Sequence, residues 1–174
     1  MAERYHFEPL GEQHLGLRAG FSCGEDDLDR YLRERARREM ERWIAAVLVL
    51  YDSEEDRLAG YYTLSAVAVE RSDLPSTFTH RLARYRVYPA ILIGRLAVDR
   101  EYQGQRLGGR LLLDALARAL DASRQVASLA VIANAKNEEA QSFYEHYGFQ
   151  LLPSGRHERR LFLPIGTLER LFAG

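Results

Sequence analysis

The reading of this chain turns on Gly94-Arg95-Leu96-Ala97-Val98-Asp99-Arg100-Glu101-Tyr102-Gln103-Gly104-Gln105-Arg106-Leu107-Gly108-Gly109-Arg110-Leu111-Leu112. Ala90 to Asp99 is apolar enough to be a central strand. The glycines that follow permit positive φ and let a phosphate come close to the main chain. Gln105 to about Asp121 then carries Leu107, Leu111, Leu112, Ala115, Leu116 and Leu120 at helical spacing. A helix N-terminus offers unpaired N–H groups and the positive end of a dipole. Strand, turn and helix together make an anion cradle suited to a pyrophosphate, and Arg106 and Arg110 can add charge-assisted contacts. The glycines alone would equally suit an ordinary strand-to-helix turn. No Gly-Lys-Ser/Thr follows, so this is not a Walker A loop, and Arg106 interrupts the spacing of a dinucleotide fingerprint.

Downstream the pattern is βαβ-like. Ser128 to Ala133 reads as a buried strand. Asn137 to Tyr147 reads as a helix that Asn137 caps and Gly148 closes, with Glu138 and Glu139 in its first turn. Phe149 to Leu152 and Arg159 to Leu163 are final strands with a polar turn between them. Upstream, Ser22-Cys23-Gly24-Glu25 has the form of a capping box, opening a helix from about Gly24 to Met40. Trp43 to Tyr51 and Arg57 to Glu70 read as a hairpin joined by the polar turn Ser53–Asp56. Asp73 to Pro89 is expected to be irregular because Pro75 and Pro89 interrupt it. The expected fold class is α/β, with a mixed sheet that is parallel where helices cross over.

At 174 residues the chain suits a single domain, 1–174, with no repeat or linker to mark a boundary. The net charge of -1 points to neither a nucleic-acid binder nor a membrane-surface protein. Lys136 is the only lysine, so the positive charge is almost all arginine, as genome composition alone can produce. Arginine also suits bidentate contacts to phosphate. Cys23 is the lone cysteine, and the histidines show no ligand spacing, so neither a disulfide framework nor a metal site is expected. The start, MAERYHFEPL, has no apolar signal-peptide core, and the longest apolar run, Ile44 to Tyr51, is too short to span a bilayer. A cytoplasmic protein is expected.

Gln103-Gly104-Gln105-Arg106-Leu107-Gly108 resembles the Gln/Arg-x-x-Gly-x-Gly/Ala signature of the GNAT superfamily of acyl-CoA N-acyltransferases, with Arg106 where that family usually has glycine. The run from Asn137 to Phe149 resembles the superfamily's Asn-x-x-Ala-x-x-Phe-Tyr-x-x-x-Gly-Phe helix. The resemblance implies a GNAT fold, a mixed central sheet whose parallel strands, matched by Ile91–Val98 and Ser128–Ala133, splay apart. It implies acetyl-CoA as cosubstrate, its pantetheine pairing with backbone around Leu96, Ala97 and Val98. Gln103, Gly104, Gln105, Arg106, Leu107, Gly108 and Gly109 would form the pyrophosphate turn. Asn137, Ala140 and Phe143 would belong to the cofactor side of the second signature.

Amine attack on a thioester needs a neutral amine, donors for the oxyanion and a proton for the thiolate. Tyr144 falls where the family places the acid that faces the sulfur, although at this spacing it would also serve as a packing aromatic. Glu70, Asp99, His80 and Glu145 are possible bases. An α-amine of pKa about 8 needs little help. Cys23, near a helix start, is a weak candidate nucleophile.

Phe21-Ser22-Cys23-Gly24 through Leu28-Asp29-Arg30-Tyr31-Leu32 looks like the opening of the tRNA-acetylating toxins of type II toxin–antitoxin systems. Gly60–Ser65 and Ile93–Asp99 match that subgroup too. The resemblance implies acetylation of the α-amine of aminoacyl-tRNA, blocked translation, a homodimer and a ribbon-helix-helix antitoxin. Arginine clusters at Arg33, Arg35, Arg37, Arg38 and Arg42, at Arg81, Arg84 and Arg86, and at Arg156, Arg159 and Arg160 suit a phosphate-reading surface. The first of them would equally be a solvated helix face, with Glu34–Arg38 and Arg35–Glu39 paired. The rival readings are an acetyltransferase of a small amine or protein N-terminus, and a non-catalytic acyl-CoA-binding module. The acidic run Asp52, Glu54, Glu55 and Asp56 bears on the first rival but reads as a turn.

Overall fold

The computed structural model describes residues 2–153 and 159–173. In chain order the elements are β1 (Tyr5–Pro9), a 3-10 helix over Glu12–Gly20, α1 (Asp26–Glu34), α2 (Ala36–Glu41), β2 (Ala46–Asp52) and β3 (Arg57–Glu70). They continue with α3 (Ser76–Thr79), β4 (Val87–Val98), α4 (Leu107–Gln125), β5 (Ala130–Asn134), α5 (Glu138–His146), β6 (Gln150–Leu151), β7 (Arg160–Pro164) and α6 (Ile165–Ala173). The strands form a seven-stranded sheet in the order β1-β2-β3-β4-β5-β7-β6. The β1/β2, β2/β3, β5/β7 and β6/β7 pairs are antiparallel. β4 and β5 are parallel, with Ile91↔Val131, Leu92↔Ile132 and Ile93↔Ala133. α4 makes the crossover that a parallel pair needs. The fold is therefore the mixed α/β sheet with flanking helices that the sequence implies.

Two compact units share these elements, Met1–Ser65 with Gly94–Ala115, and Ala66–Ile93 with Leu116–Gly174. In the first, β2 supplies the buried run Val47–Leu50, and Phe21, Tyr31, Leu32, Ala36 and Leu58 pack on it. Tyr61 meets Phe21 edge-on at 5.5 Å and stacks on Tyr31 at 6.2 Å. Gly60 is required by close approach: a Cβ there would lie 2.8 Å from the Ala97 carbonyl oxygen and 2.8 Å from the Leu111 side chain. In the second unit, Val69, Tyr88, Ala90, Ile132 and Phe162 share a core, and Phe78 meets Phe162 edge-on at 5.5 Å. Among the described residues no helix is long and apolar enough to cross a membrane.

Several local expectations are corrected. The Ser22/Glu25 capping box does not form, and the cap residue Glu25 makes no side-chain cap bond. Instead Asp29, one turn inside the helix, accepts from the Cys23 amide at 2.9 Å, and the Ser22 amide donates to Asp99 at 2.9 Å. The helix expected over 24–40 is two helices, broken at Arg35 with φ -120 and ψ -32. Trp43 is not a strand residue: it is 95% exposed at φ 60, and β2 begins at Ala46. The stretch 73–89 is not wholly irregular, since it contains α3 and β4 begins ahead of Pro89. Pro89 has no N–H to give the ladder, but its carbonyl accepts from the Leu129 amide at 2.9 Å. The turn expected between the last two strands lies largely outside the described residues, as does Arg156.

Candidate active site

β4 delivers Leu96, Ala97 and Val98 to the mouth of the glycine turn. Ala97 is buried in the core; Leu96 and Val98 are half-buried. Asp99 ends the strand. Its carboxylate accepts from the amides of Glu101 and Ser22, each at 2.9 Å, and lies 3.5 Å from the Arg57 guanidinium. That commitment corrects Asp99 as a candidate base. It caps the one-turn 3-10 helix Arg100–Tyr102, which aims Tyr102 inward. The Tyr102 hydroxyl donates to Asp52 at 2.6 Å. Asp52 is fully buried and receives both forks of Arg4 at 2.8 Å, together with the Glu54 and Glu55 amides. The Arg4 bond, then those from Tyr102 and the two amides, hold its carboxyl well below the usual range. The acidic run is therefore no open pocket for a cationic amine: Asp52 is internally paired, and Asp56 accepts from the Tyr51 hydroxyl at 2.7 Å.

Gln103 folds its side-chain amide back, donating to the carbonyls of Val98 at 3.0 Å and Cys23 at 3.1 Å. Its side chain braces the turn, and its amide donates to the Arg100 carbonyl at 3.4 Å. Gly104 has φ +84, and nothing lies within 4 Å of where its Cβ would be. Arg106 has φ 62, the left-handed conformation that glycine supplies at this position in the family signature. The turn thus keeps its shape despite the departure, at a backbone cost. Gln105 and Arg106 are exposed. Leu107 and Gly109 are buried and Gly108 is half-buried, so the Leu107 side chain belongs to the core. Arg110 lies over the Tyr5 ring at 5.6 Å, and the Tyr5 hydroxyl donates to Gln105 at 3.4 Å. Among the described residues neither Arg106 nor Arg110 has an ion-pair partner. An open turn, the start of a 19-residue helix and two uncommitted guanidiniums fit the diphosphate of acetyl-CoA.

The second signature folds as expected at its start. The Asn137 side chain accepts from the Ala140 amide at 2.9 Å, so its oxygen is used as a helix cap. Ala140 and Phe143 are half-buried. Phe143 meets Tyr144 and Tyr147 edge-on at 5.4 and 5.3 Å. Tyr144 is only 6% exposed and meets Phe149 edge-on at 5.3 Å. Burial pushes its phenol above the ordinary value near 10. Among the described residues nothing bonds its hydroxyl. A phenol held protonated by its surroundings, with no protein partner for its O–H, is a donor in reserve.

The remaining candidate bases are dispersed. Glu70 is half-buried and lines an open cavity of about 510 Å³ with Arg71, Tyr85 and Arg86. His80 is exposed and turned to the Ser76 carbonyl at 3.3 Å, and Glu145 is exposed on α5. Burial and the neighbouring Asp29 push the Cys23 thiol up to about 11, which works against a nucleophile. Among the described residues no group of three or more His, Cys, Asp or Glu could hold a metal. Residues that sequence reasoning missed are Arg4, Asp52 and Tyr102. They join positions far apart in the chain, and no local pattern announces them.

A strand, an open glycine turn and a long helix, crossing over to a parallel strand, fit the donor site of an acyl-CoA-dependent acyltransferase. The chain belongs to the GNAT acetyltransferase family, whose "Acetyltransferase (GNAT) domain" matches residues 43–151. It is 35% identical over 134 residues to a tRNA-acetylating toxin of Mycobacterium tuberculosis, covering 77% of this chain and 78% of that protein. The structure of AtaT complexed with acetyl-methionyl-tRNAfMet is similar at TM-score 0.88 and 32% identity, covering 97% of this chain and 99% of that one. A tyrosine-to-phenylalanine mutant of the toxin AtaT, bound to the C-terminus of the antitoxin AtaR and to acetyl-CoA, is similar at TM-score 0.81 and 29% identity, covering 99% and 100%.

Proposed function

We propose that this enzyme transfers the acetyl group of acetyl-CoA to the α-amine of an aminoacyl-tRNA, as the toxin of a toxin–antitoxin pair. The observation that carries this reading is the 35% identity to a tRNA-acetylating toxin across about three quarters of both chains. The likeness to AtaT carrying acetyl-methionyl-tRNA supports it.

Acetyl-CoA supplies an activated acyl group on a thiolate leaving group. The chain's part is to hold the donor, polarise the acyl carbonyl and manage protons. The amides of residues 105–109, with Arg106 and Arg110, hold the diphosphate. Main chain around Leu96, Ala97 and Val98 pairs with pantetheine, and an amide there faces the acyl oxygen as negative charge develops on it. As the new C–N bond forms and the C–S bond breaks, Tyr144 gives its phenolic proton to the departing sulfur. Its burial and its unpartnered hydroxyl support that role. The attacking amine arrives neutral and loses its extra proton to water, and water returns a proton to the Tyr144 phenolate, so no dedicated base is needed.

The arginine clusters differ in how free they are. Arg35 and Arg37 are paired with Glu39 and Glu41 at 3.0 and 2.9 Å, while Arg38 bonds the Glu34 carbonyl oxygen. Arg159 is tied to Gln141 at 3.0 Å. Arg81, Arg84 and Arg86 are exposed and make no ion pair among the described residues. Those three are the best phosphate readers. The whole chain acts as one catalytic domain in the cytoplasm, as a homodimer silenced by a ribbon-helix-helix antitoxin. The test is label transfer from radiolabelled acetyl-CoA to charged tRNA, deacylated tRNA and a panel of small amines. Label on charged tRNA alone is expected; label on small amines and none on tRNA refutes the reading.

A further inference from the structure

Arg95 sits half-buried on β4 between Gly94 and Leu96. Ile93 and Ala97, two residues to either side and on the same face, are buried. The Arg95 guanidinium lies 3.6 Å from the centre of the Tyr31 ring. Among the described residues it makes no ion pair and no hydrogen bond. The nearby acid is already committed. Glu39 accepts from the Tyr31 hydroxyl at 3.0 Å and pairs with Arg35 at 3.0 Å, and Arg35 leans over the same ring at 5.5 Å. Arg95 is therefore a cation drawn partly out of water beside a second cation, with no carboxylate of its own. Partial desolvation of an unpaired charge is unfavourable, and an aromatic face compensates for only part of it. The charge is felt locally: it opposes the rise that burial imposes on the Tyr31 and Tyr61 phenols. Stacking fixes the plane of the guanidinium and leaves its N–H edge unused, which is how an arginine is prepared for a bidentate oxyanion.

We propose that Arg95 reads the phosphodiester beside the acylated 3′-terminal ribose of the acceptor, and so selects an aminoacyl-tRNA over a free amine. This inference rests on the aminoacyl-tRNA reading above. Its position supports the assignment. Arg95 adjoins Leu96, in the stretch proposed to hold the acyl donor, and the 3′-terminal phosphodiester is the anion nearest the reacting amine on a charged tRNA.

The experiment compares wild type, Arg95→Gln and Arg95→Lys on charged tRNA and on an amino-acid methyl ester, which has the amine but no phosphate. For Arg95→Gln the ratio of kcat/KM on tRNA to that on the ester is expected to fall about ten- to a hundredfold, carried by KM. The slope of log kcat/KM against log salt on tRNA becomes shallower by about 0.7–0.9. Arg95→Lys, which keeps charge without the fork, falls between. If Arg95→Gln does not fold, the lysine variant carries the test. Equal loss on both substrates with an unchanged salt slope makes Arg95 a packing residue and overturns the proposal, as does no loss at all. A wild-type enzyme inactive on charged tRNA but active on the ester refutes the tRNA reading itself, and this proposal with it.

Discussion

Replacing Tyr144 by phenylalanine separates chemistry from folding. Nothing among the described residues bonds the hydroxyl, and the ring is 6% exposed with edge-on contacts at 5.4 and 5.3 Å that phenylalanine keeps. The hydroxyl has no protein partner and is not fully enclosed, so removing it forfeits no protein hydrogen bond and changes stability little. The variant should therefore unfold at about the same urea concentration as wild type. Catalysis should move the other way. A positioned acid contributes about 10²- to 10⁴-fold, so kcat should fall by that factor while KM for acetyl-CoA changes little. The amine and the buried phenol together set the pH profile. The wild-type rate should rise with pH as the α-amine loses its proton, with an apparent pKa of about 8 or below. It should show no falling limb up to about pH 10, because burial moves the Tyr144 phenol upward and keeps its proton in place. The assay is initial-rate acetyl transfer on both proteins beside urea unfolding. A variant that keeps its rate within about threefold would refute the acid assignment, whose expected loss is about 10²-fold or more. A variant that loses rate and stability together would make Tyr144 a packing residue.

Four further outcomes follow from the structure. Tyr102→Phe removes a 2.6 Å bond to the buried Asp52 carboxylate and should cost about 1.5–3 kcal/mol in urea unfolding, with a raised KM for acetyl-CoA as the turn loosens. Because the folded-state pKa of Asp52 is depressed, its contribution is present above the unfolded value near 3.9 and is lost as pH falls below it, so the acid limb of thermal stability should flatten in Asp52→Asn. At Arg106, φ 62 favours glycine, so Arg106→Gly should be more stable than Arg106→Ala by about 1 kcal/mol, and equal stabilities would contradict the left-handed turn. Changing Arg81, Arg84 and Arg86 together to glutamine should lower kcat/KM on tRNA and make its salt slope shallower by about 2–3, whereas an unchanged slope would remove this face from the tRNA contact.

The parts legible in the sequence were those whose chemistry is local. The run from Gly94 to Leu112 shows strand, turn and helix in order, and Asn137 with Ala140 shows a cap, because each depends on neighbours a few residues away. The parts that were missed depend on distant partners. β1 has five residues and ends in proline, so the brief alternation of Tyr5 and Phe7 with His6 and Glu8 is too short to mark it, and its register comes from pairing with β2. Glu25 looked like a capping partner for Ser22, but Asp29 offers the Cys23 amide a carboxylate one turn further in, and Asp99, far along the chain, takes the Ser22 amide. Trp43 has the composition of a strand residue, yet the chain must reverse there between α2 and β2. At the site, the glycine turn was readable from spacing, whereas Tyr144 was singled out by the family resemblance, since by spacing alone it reads as a packing aromatic. The brace behind the turn was not, since Arg4, Asp52 and Tyr102 meet only after folding, and Asp52 read as one more acid in a surface turn.

The central claim is that the acetyl group ends on the α-amine of a tRNA-borne amino acid. The most direct test incubates the enzyme with acetyl-CoA and charged tRNA, releases the 3′ end with a nuclease and identifies the terminal nucleoside by mass spectrometry. The expected product is adenosine esterified with an N-acetylated amino acid, formed by wild type and nearly absent with Tyr144→Phe. Unmodified aminoacyl-adenosine, from an enzyme that acetylates another amine in the same buffer, would contradict the account.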